Sequence, residues 1–230
     1  MTAPEDLSPY LNPGPHVDSD HPAVRALARE TTQGLTNPRE QAVALYYAIR
    51  DGFRYDPYGI SPHADSFTAS KVIASGRGFC ISKATLLAAA ARVVGIPAKV
   101  GFADVKNHLT SPRLMEMMGT DEFAYHGYTV LWIDDRWVKA TPAFNRSLCD
   151  KAGVLPLEFD GVHDSLFHPL DSSGRKHMEY LRDHGSFADV PVDALFASWK
   201  KVYPKLDSWG PQNTSADFEQ EAVKELPARG

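Results

Sequence analysis

The stretch "SGRGFCISKATLLAAAARVVGIPAKVGF", residues 75–102, sets one cysteine between a glycine turn and a run that is apolar nearly all round. Ala84, Leu86, Leu87, Ala88, Ala89, Ala90, Ala91, Val93 and Val94 leave no polar face, and a helix of that kind is a buried one. Gly95 and Pro97 end it, and "AKVGFADV" then alternates as a strand. Cys80 stands at the mouth of the helix. There the unpaired N–H groups and the helix dipole favour a thiolate. The same donors can hold a developing oxyanion. The competing reading is a small buried packing residue, which would be expected inside the apolar run.

A thiol nucleophile needs a base close by. "FAYHGYTVLWI" and "RWVKATPAF", joined by Asp134-Asp135, read as a β-hairpin. Strand alternation puts His126, Tyr128, Val130 and Trp132 on one face. With a two-residue turn, Ile133 pairs with Arg136, Trp132 with Trp137, Val130 with Lys139 and Tyr128 with Thr141. Thr141 is then diagonal to His126 at roughly 7–8 Å between backbones. A hydroxyl there could bond the outer nitrogen of the imidazole.

Upstream, Asp20 is expected to cap a first helix with Pro22 in its first turn, ending near Gly34. Asn37, Pro38 and Glu40 form an N-cap, N1 and capping-box set for a second helix, with Ala42, Leu45, Tyr46 and Ile49 on one side. A short helix is expected over 66–75, stopping at "GRG". Beyond the hairpin, "HMEYLRDH" and "VDALFASWKKVY" read as helices. The segments are an arm (1–19) expected to be loose, a core (20–145), a mostly helical extension (146–206) packed on it, and a polar tail (207–230) expected to be disordered or lightly docked. Across 230 residues, 43% are hydrophobic and the formal charge is −5, which argues against nucleic-acid or membrane-surface binding. The start "MTAPEDLSPY" lacks the basic and apolar regions of a signal peptide, and two cysteines make no disulfide framework, so a cytoplasmic location is expected.

"RGFCISKATLLAAAARVVGIPAKV" followed by "YHGYTVLWIDDRWVKATPAFN" resembles the transglutaminase-like superfamily of cysteine enzymes. The resemblance covers roughly 20–145. It implies an α+β, papain-like core, with the cysteine on a central helix packed on an antiparallel sheet that carries His and Asp. It implies Cys80 as nucleophile and His126 as base. The family pattern has Asp-Pro where this chain has Thr141-Pro142. Threonine brings a hydrogen bond and no charge. Thr141 could orient His126 alone, Asn145 or a distant acid could do so, or catalysis could be lost.

The expected activity is acyl chemistry: hydrolysis of an amide, ester or thioester, or acyl transfer to an amine, on a small-molecule or peptide substrate. A non-catalytic binding module on the same fold is the alternative. Arg77 and Tyr128 are candidate substrate-binding residues. Their plainer roles are a surface charge near a turn and, for Tyr128 as for Tyr125, sheet packing. Leu114, Met115, Met117 and Met118 could form a lid or fill core. Asp160, His163, Asp164, His168 and Asp171 match no metal-ligand spacing, so neither a metal nor a cofactor is expected.

Overall fold

The computed structural model describes residues 6–61, 63–108, 111–168, 170–171, 174, 177–209 and 218–225. The chain runs α1 (Pro22–Thr31), α2 (Pro38–Gly52), β1 (Arg54–Tyr55), α3 (Ala69–Ser75), β2 (Arg77–Gly78), α4 (Cys80–Val93) and β3 (Ala98–Asn107). It continues through α5 (Pro112–Met118), β4 (Glu122–Ile133), β5 (Arg136–Ala140), α6 (Arg146–Ala152), β6 (Met178–Phe187), α7 (Val192–Val202) and α8 (Phe218–Glu225). Four strands make one antiparallel sheet in the order β5-β4-β3-β6, and β1 and β2 form a separate two-residue parallel pair.

Helix α4 is the centre of the molecule. Its residues from Cys80 to Arg92 are all buried. The alanine run lets the backbone sit close to the sheet, and the Thr129 hydroxyl donates to Ala84 O at 2.8 Å. The closest approach is at Gly127 on β4. A Cβ there would stand 2.6 Å from Ile81 Cα, so any side chain would push helix and strand apart. Lys83 is buried among α2 and the chain after β5. Its Nζ donates to Arg50 O, Phe53 O and Ala143 O at 2.8, 2.6 and 2.9 Å. Burial pushes its pKa down to about 7, yet three acceptors match the three N–H of an ammonium and resist that loss.

The hairpin register is as expected: Ile133 pairs with Arg136, Trp132 with Trp137 and Val130 with Lys139. Asp134 and Asp135 both take positive φ, 50° and 60°, the conformation of a two-residue type I′ turn. Asn37 caps α2, accepting from Arg39 and Glu40 N–H, and Ala42, Leu45, Tyr46 and Ile49 are the buried face.

Three expectations change. His21, not Asp20, caps α1; its Nδ1 accepts from Ala23 N–H at 3.2 Å. "HMEYLRDH" is not helical: Met178–Phe187 is β6, antiparallel to β3. The open edge of β3 offers a full ladder of hydrogen bonds, and this outweighs helix propensity. The extension is therefore less helical than expected and completes the main sheet. The arm is not loose over residues 6–19: Val17 is fully buried, and His16 and Val17 N–H both donate to Asp189 at 3.1 Å. Part of the tail docks, one of the two states expected for it. Phe218 of α8 packs edge-on against Tyr55 and Tyr58, and Glu219 pairs with Lys151 at 2.8 Å.

Candidate active site

Cys80 is the first residue of α4 and His126 lies on β4 beside it, and both border one cavity of about 30 Å³. The N–H groups of Gly127, Ile81 and Cys80 itself act on the sulfur and favour its anion. Burial acts the other way and is the larger effect: it pushes the thiol up to about 11. The same burial pushes His126 down to about 3. The resting pair is thus a neutral thiol and a neutral imidazole. The helix N-terminus alone, read from sequence, favours the thiolate; the enclosure reverses that.

A bulge aims the histidine. Along β3 and β4, Ala103 pairs with His126 but Val105 pairs with Phe123, so Ala124 and Tyr125 together face Asp104. Tyr125 takes φ +57°, a left-handed conformation that costs a bulky residue about 1–3 kcal/mol. Asp104 holds it there by accepting the Tyr125 N–H at 3.0 Å. His184 stacks on the Tyr125 ring at 4.1 Å between centroids, and its Nε2 lies 2.8 Å from Asp104 Oδ1. Bulges commonly re-aim side chains beside a site. Tyr125 therefore does more than pack the sheet.

The bulge also frees the backbone of Ala124. Its N–H donates to the Tyr203 hydroxyl at 2.7 Å, and its carbonyl accepts from Trp199 Nε1 at 2.9 Å. Trp199, Tyr203 and Trp209 in this way roof the cavity. Helix α5 supports the roof, with Met118 in the cavity wall and Met117 O accepting from Trp209 Nε1 at 3.2 Å. Of the expected lid residues, Leu114 and Met118 are core-like in burial. No local pattern in the sequence marks the three aromatic residues of the roof, because a bulge some 75 positions away creates their partners.

His126 Nε2 and the Thr141 hydroxyl are both buried and both lack a hydrogen-bond partner among the described residues. They border the same group of side chains. The Phe167 ring packs 4.9 Å from the imidazole, Phe167 N–H donates to the Tyr180 hydroxyl at 3.3 Å, and Thr141 acts on that phenol. The Tyr180 phenol is thus the neighbour within reach of the Thr141 hydroxyl, and His126 Nε2 is the buried polar atom left without a partner among the described residues, which is costly. Asn145 is engaged elsewhere: its Oδ1 accepts from Tyr55 N–H at 2.9 Å and its Nδ2 donates to Ser147 at 2.7 Å.

Arg77 and Tyr128 are not in the cavity wall. Arg77 is half exposed, pairs with Asp56 at 3.2 Å and lines a separate open cleft of about 530 Å³. Tyr128 covers Gly101, where a Cβ would stand 2.2 Å from the ring. Its hydroxyl donates to Asp183 at 3.1 Å and Lys139 sits over its face. That is the sheet-packing role. Asp160 accepts from Val162 and His163 N–H in a turn, and Asp164 accepts from Lys139 N–H. Among the described residues no group of three His, Cys, Asp or Glu side chains is placed to hold a metal, and no helix is long and apolar enough to cross a membrane. Both cysteines are free.

The family model described as transglutaminase-like superfamily matches residues 25–142. No curated protein sequence matches. Among solved structures, a candidate cysteine protease from Cytophaga hutchinsonii is 17% identical, with a TM-score of 0.53, over 83% of this chain and 50% of that one. The periplasmic domain of TgpA from Pseudomonas aeruginosa is 23% identical, with a TM-score of 0.42, over 60% of this chain and 48% of that one. The chain thus spans about half the length of these structures. Since the family model covers half of the sequence and the Cytophaga hutchinsonii structure shares its fold, the chain belongs to the transglutaminase-like superfamily.

Proposed function

We propose that the protein is a cysteine-dependent acyl-group enzyme. Cys80 sulfur attacks the carbonyl carbon of an amide, ester or thioester. His126 takes the thiol proton and returns it to the leaving group, and water or an amine then releases the acyl group. N–H groups at the start of α4 are available to the oxyanion. The observation that carries this reading is the convergence of Cys80 and His126 on one enclosed cavity. In such a neutral pair the imidazole removes the proton as the substrate is attacked, with no preformed ion pair. Thr141 is the group nearest in kind to an orienter, and Arg77 and Tyr128 stand outside the wall of this cavity. A reducing compartment, the cytoplasm, suits a free nucleophilic thiol.

The second reading, an inactive binding module, draws on Thr141 in place of the family Asp and on the raised thiol. Intact-mass measurement after mixing with a panel of acyl thioesters separates the two. The enzymatic reading expects one acyl group on Cys80, none on Cys80→Ala, and formation about 10²–10⁴-fold slower on His126→Ala. A panel that leaves Cys80 unmodified while still binding would support the module.

A further inference from the structure

We propose that the aromatic roof selects the substrate: the acyl group taken by Cys80 is uncharged and planar, and it enters by lifting the turn that carries Trp209. This rests on the reading of Cys80 as nucleophile. Seven of the fourteen cavity residues are Phe, Tyr or Trp, and none is Asp, Glu, Lys or Arg. A charged acyl group would lose its water there and find no counter-charge. Flat rings from Tyr55, Phe79, Phe123 and Tyr125 remain as walls for a planar group.

The free space fits about one water molecule, so the cavity must widen before an acyl group enters. The three roof residues are not held equally. Trp199 and Tyr203 are fastened to both backbone groups of Ala124. The Trp209 indole has one longer bond, 3.2 Å to Met117 O, besides ring contacts to Tyr203 and Trp199 at 4.9 and 5.9 Å. Its backbone N–H bonds only within its own turn, to Leu206 O at 3.0 Å, and that turn is tied to α5 by Lys205 Nζ donating to Glu116 O at 2.9 Å. It stands outside α7, after a single 3₁₀ turn at Leu206–Ser208. It is the leaf that opens at least cost.

Alkylation of Cys80 tests this. The thiolate sulfur displaces halide from carbon, forming a C–S bond and releasing the halide ion. Three probes are used: 2-chloroacetophenone (aromatic, neutral), iodoacetamide (small, neutral) and iodoacetate (small, charged). Rates on Cys80, read by peptide mass, are divided by those on N-acetylcysteine at the same pH. The normalised rate for the aromatic probe should exceed that for iodoacetate by about a hundredfold. Trp209→Ala should raise the iodoacetamide rate about tenfold and shrink the aromatic preference, while Trp209→Phe, which keeps a ring but loses the bond to Met117 O, should fall between the parent and the alanine variant. Trp209→Leu serves if the alanine variant does not fold, near-UV circular dichroism being the check. Normalised rates within about threefold of one another, or an iodoacetamide rate indifferent to loss of the Trp209 ring, would overturn the selection. Failure of iodoacetamide to modify Cys80 in any of these proteins would instead refute the nucleophile itself.

Discussion

Two hollows lie on either side of Phe79. One is open, about 530 Å³, and carries Arg77, Lys71 and Asp56. The other is closed, about 30 Å³, and carries Cys80 and His126 among aromatic rings. Sequence reading joined the two, because Arg77 and Cys80 are three residues apart. The parallel β1–β2 pair and the start of α4 send them in different directions. Arg77 goes to solvent and its Asp56 partner; Cys80 goes inward. The first hollow is open to solvent and the second has little free space, so ionisable groups behave differently in each. In the open cleft the half-exposed Arg77 keeps its charge and pairs with the buried Asp56, whereas a thiol and an imidazole in the closed one both lose their charged forms.

The largest effect that can break this comparison is the pH dependence of the thiol. With Cys80 pushed up to about 11, its iodoacetamide rate should climb about tenfold per pH unit from 7 to 10 and level only near 11. A plateau reached below pH 8 would mean a preformed thiolate and a wetter site. The stability curve follows from the same burial. The folded imidazoles of His126 and His177 are lowered to about 3 and 4, so the unfolded chain binds more protons below 6.5. Their contribution is full above pH 6.5 and is lost as pH falls toward 3, which chemical denaturation across that window should record. Cys80 acts with the opposite sign, its contribution being lost as pH rises from 9 to 11.

Gly127→Ala comes next. The added carbon meets the α4 backbone at Ile81, and overpacking of that kind costs about 1–3 kcal/mol, a fall in thermal midpoint that calorimetry would resolve. Because Gly127 N–H acts on the sulfur, thioester trapping should slow as well; a stable variant with normal trapping would loosen the link drawn between helix seating and chemistry.

Thr141→Ala sharpens the comparison at lower amplitude. A hydrogen bond from the imidazolium to Thr141 that forms only as His126 takes the proton is worth about 0.5–1.5 kcal/mol, so acylation should slow by roughly three- to twelvefold. Thr141→Asp would raise the His126 pKa, because a carboxylate stabilises the imidazolium, and the pH profile of acylation should then shift toward a papain-type pair. Smallest for the chemistry is Arg77→Ala, which should leave acylation within about twofold, while stability falls by more than a surface pair would cost, because the buried Asp56 carboxylate loses its partner. A large loss of acylation would return the open cleft to the site.

The hairpin was readable because its information is local. Asp134 and Asp135 fix the turn, the turn fixes the register, and every pair down to Thr129–Ala140 follows. The buried helix was readable because nothing but burial accounts for its alanines. The segment 177–184 was misread since its strand state depends on a neighbour, β3, some 75 positions earlier. Likewise Asn145 carried the right chemistry for an orienter, and only the packing shows its amide committed to Tyr55 and Ser147.

By itself the sequence determined a cysteine opening a buried helix, a histidine on the adjoining hairpin and the superfamily these belong to, since caps, turns and apolar periodicity act over a few residues. Tertiary structure alone decided the bulge at Ala124 and Tyr125, the roof of Trp199, Tyr203 and Trp209 and the neutral state of the pair. These depend on which distant groups exclude water from one another, and desolvation is a property of the assembled enclosure that no short segment carries.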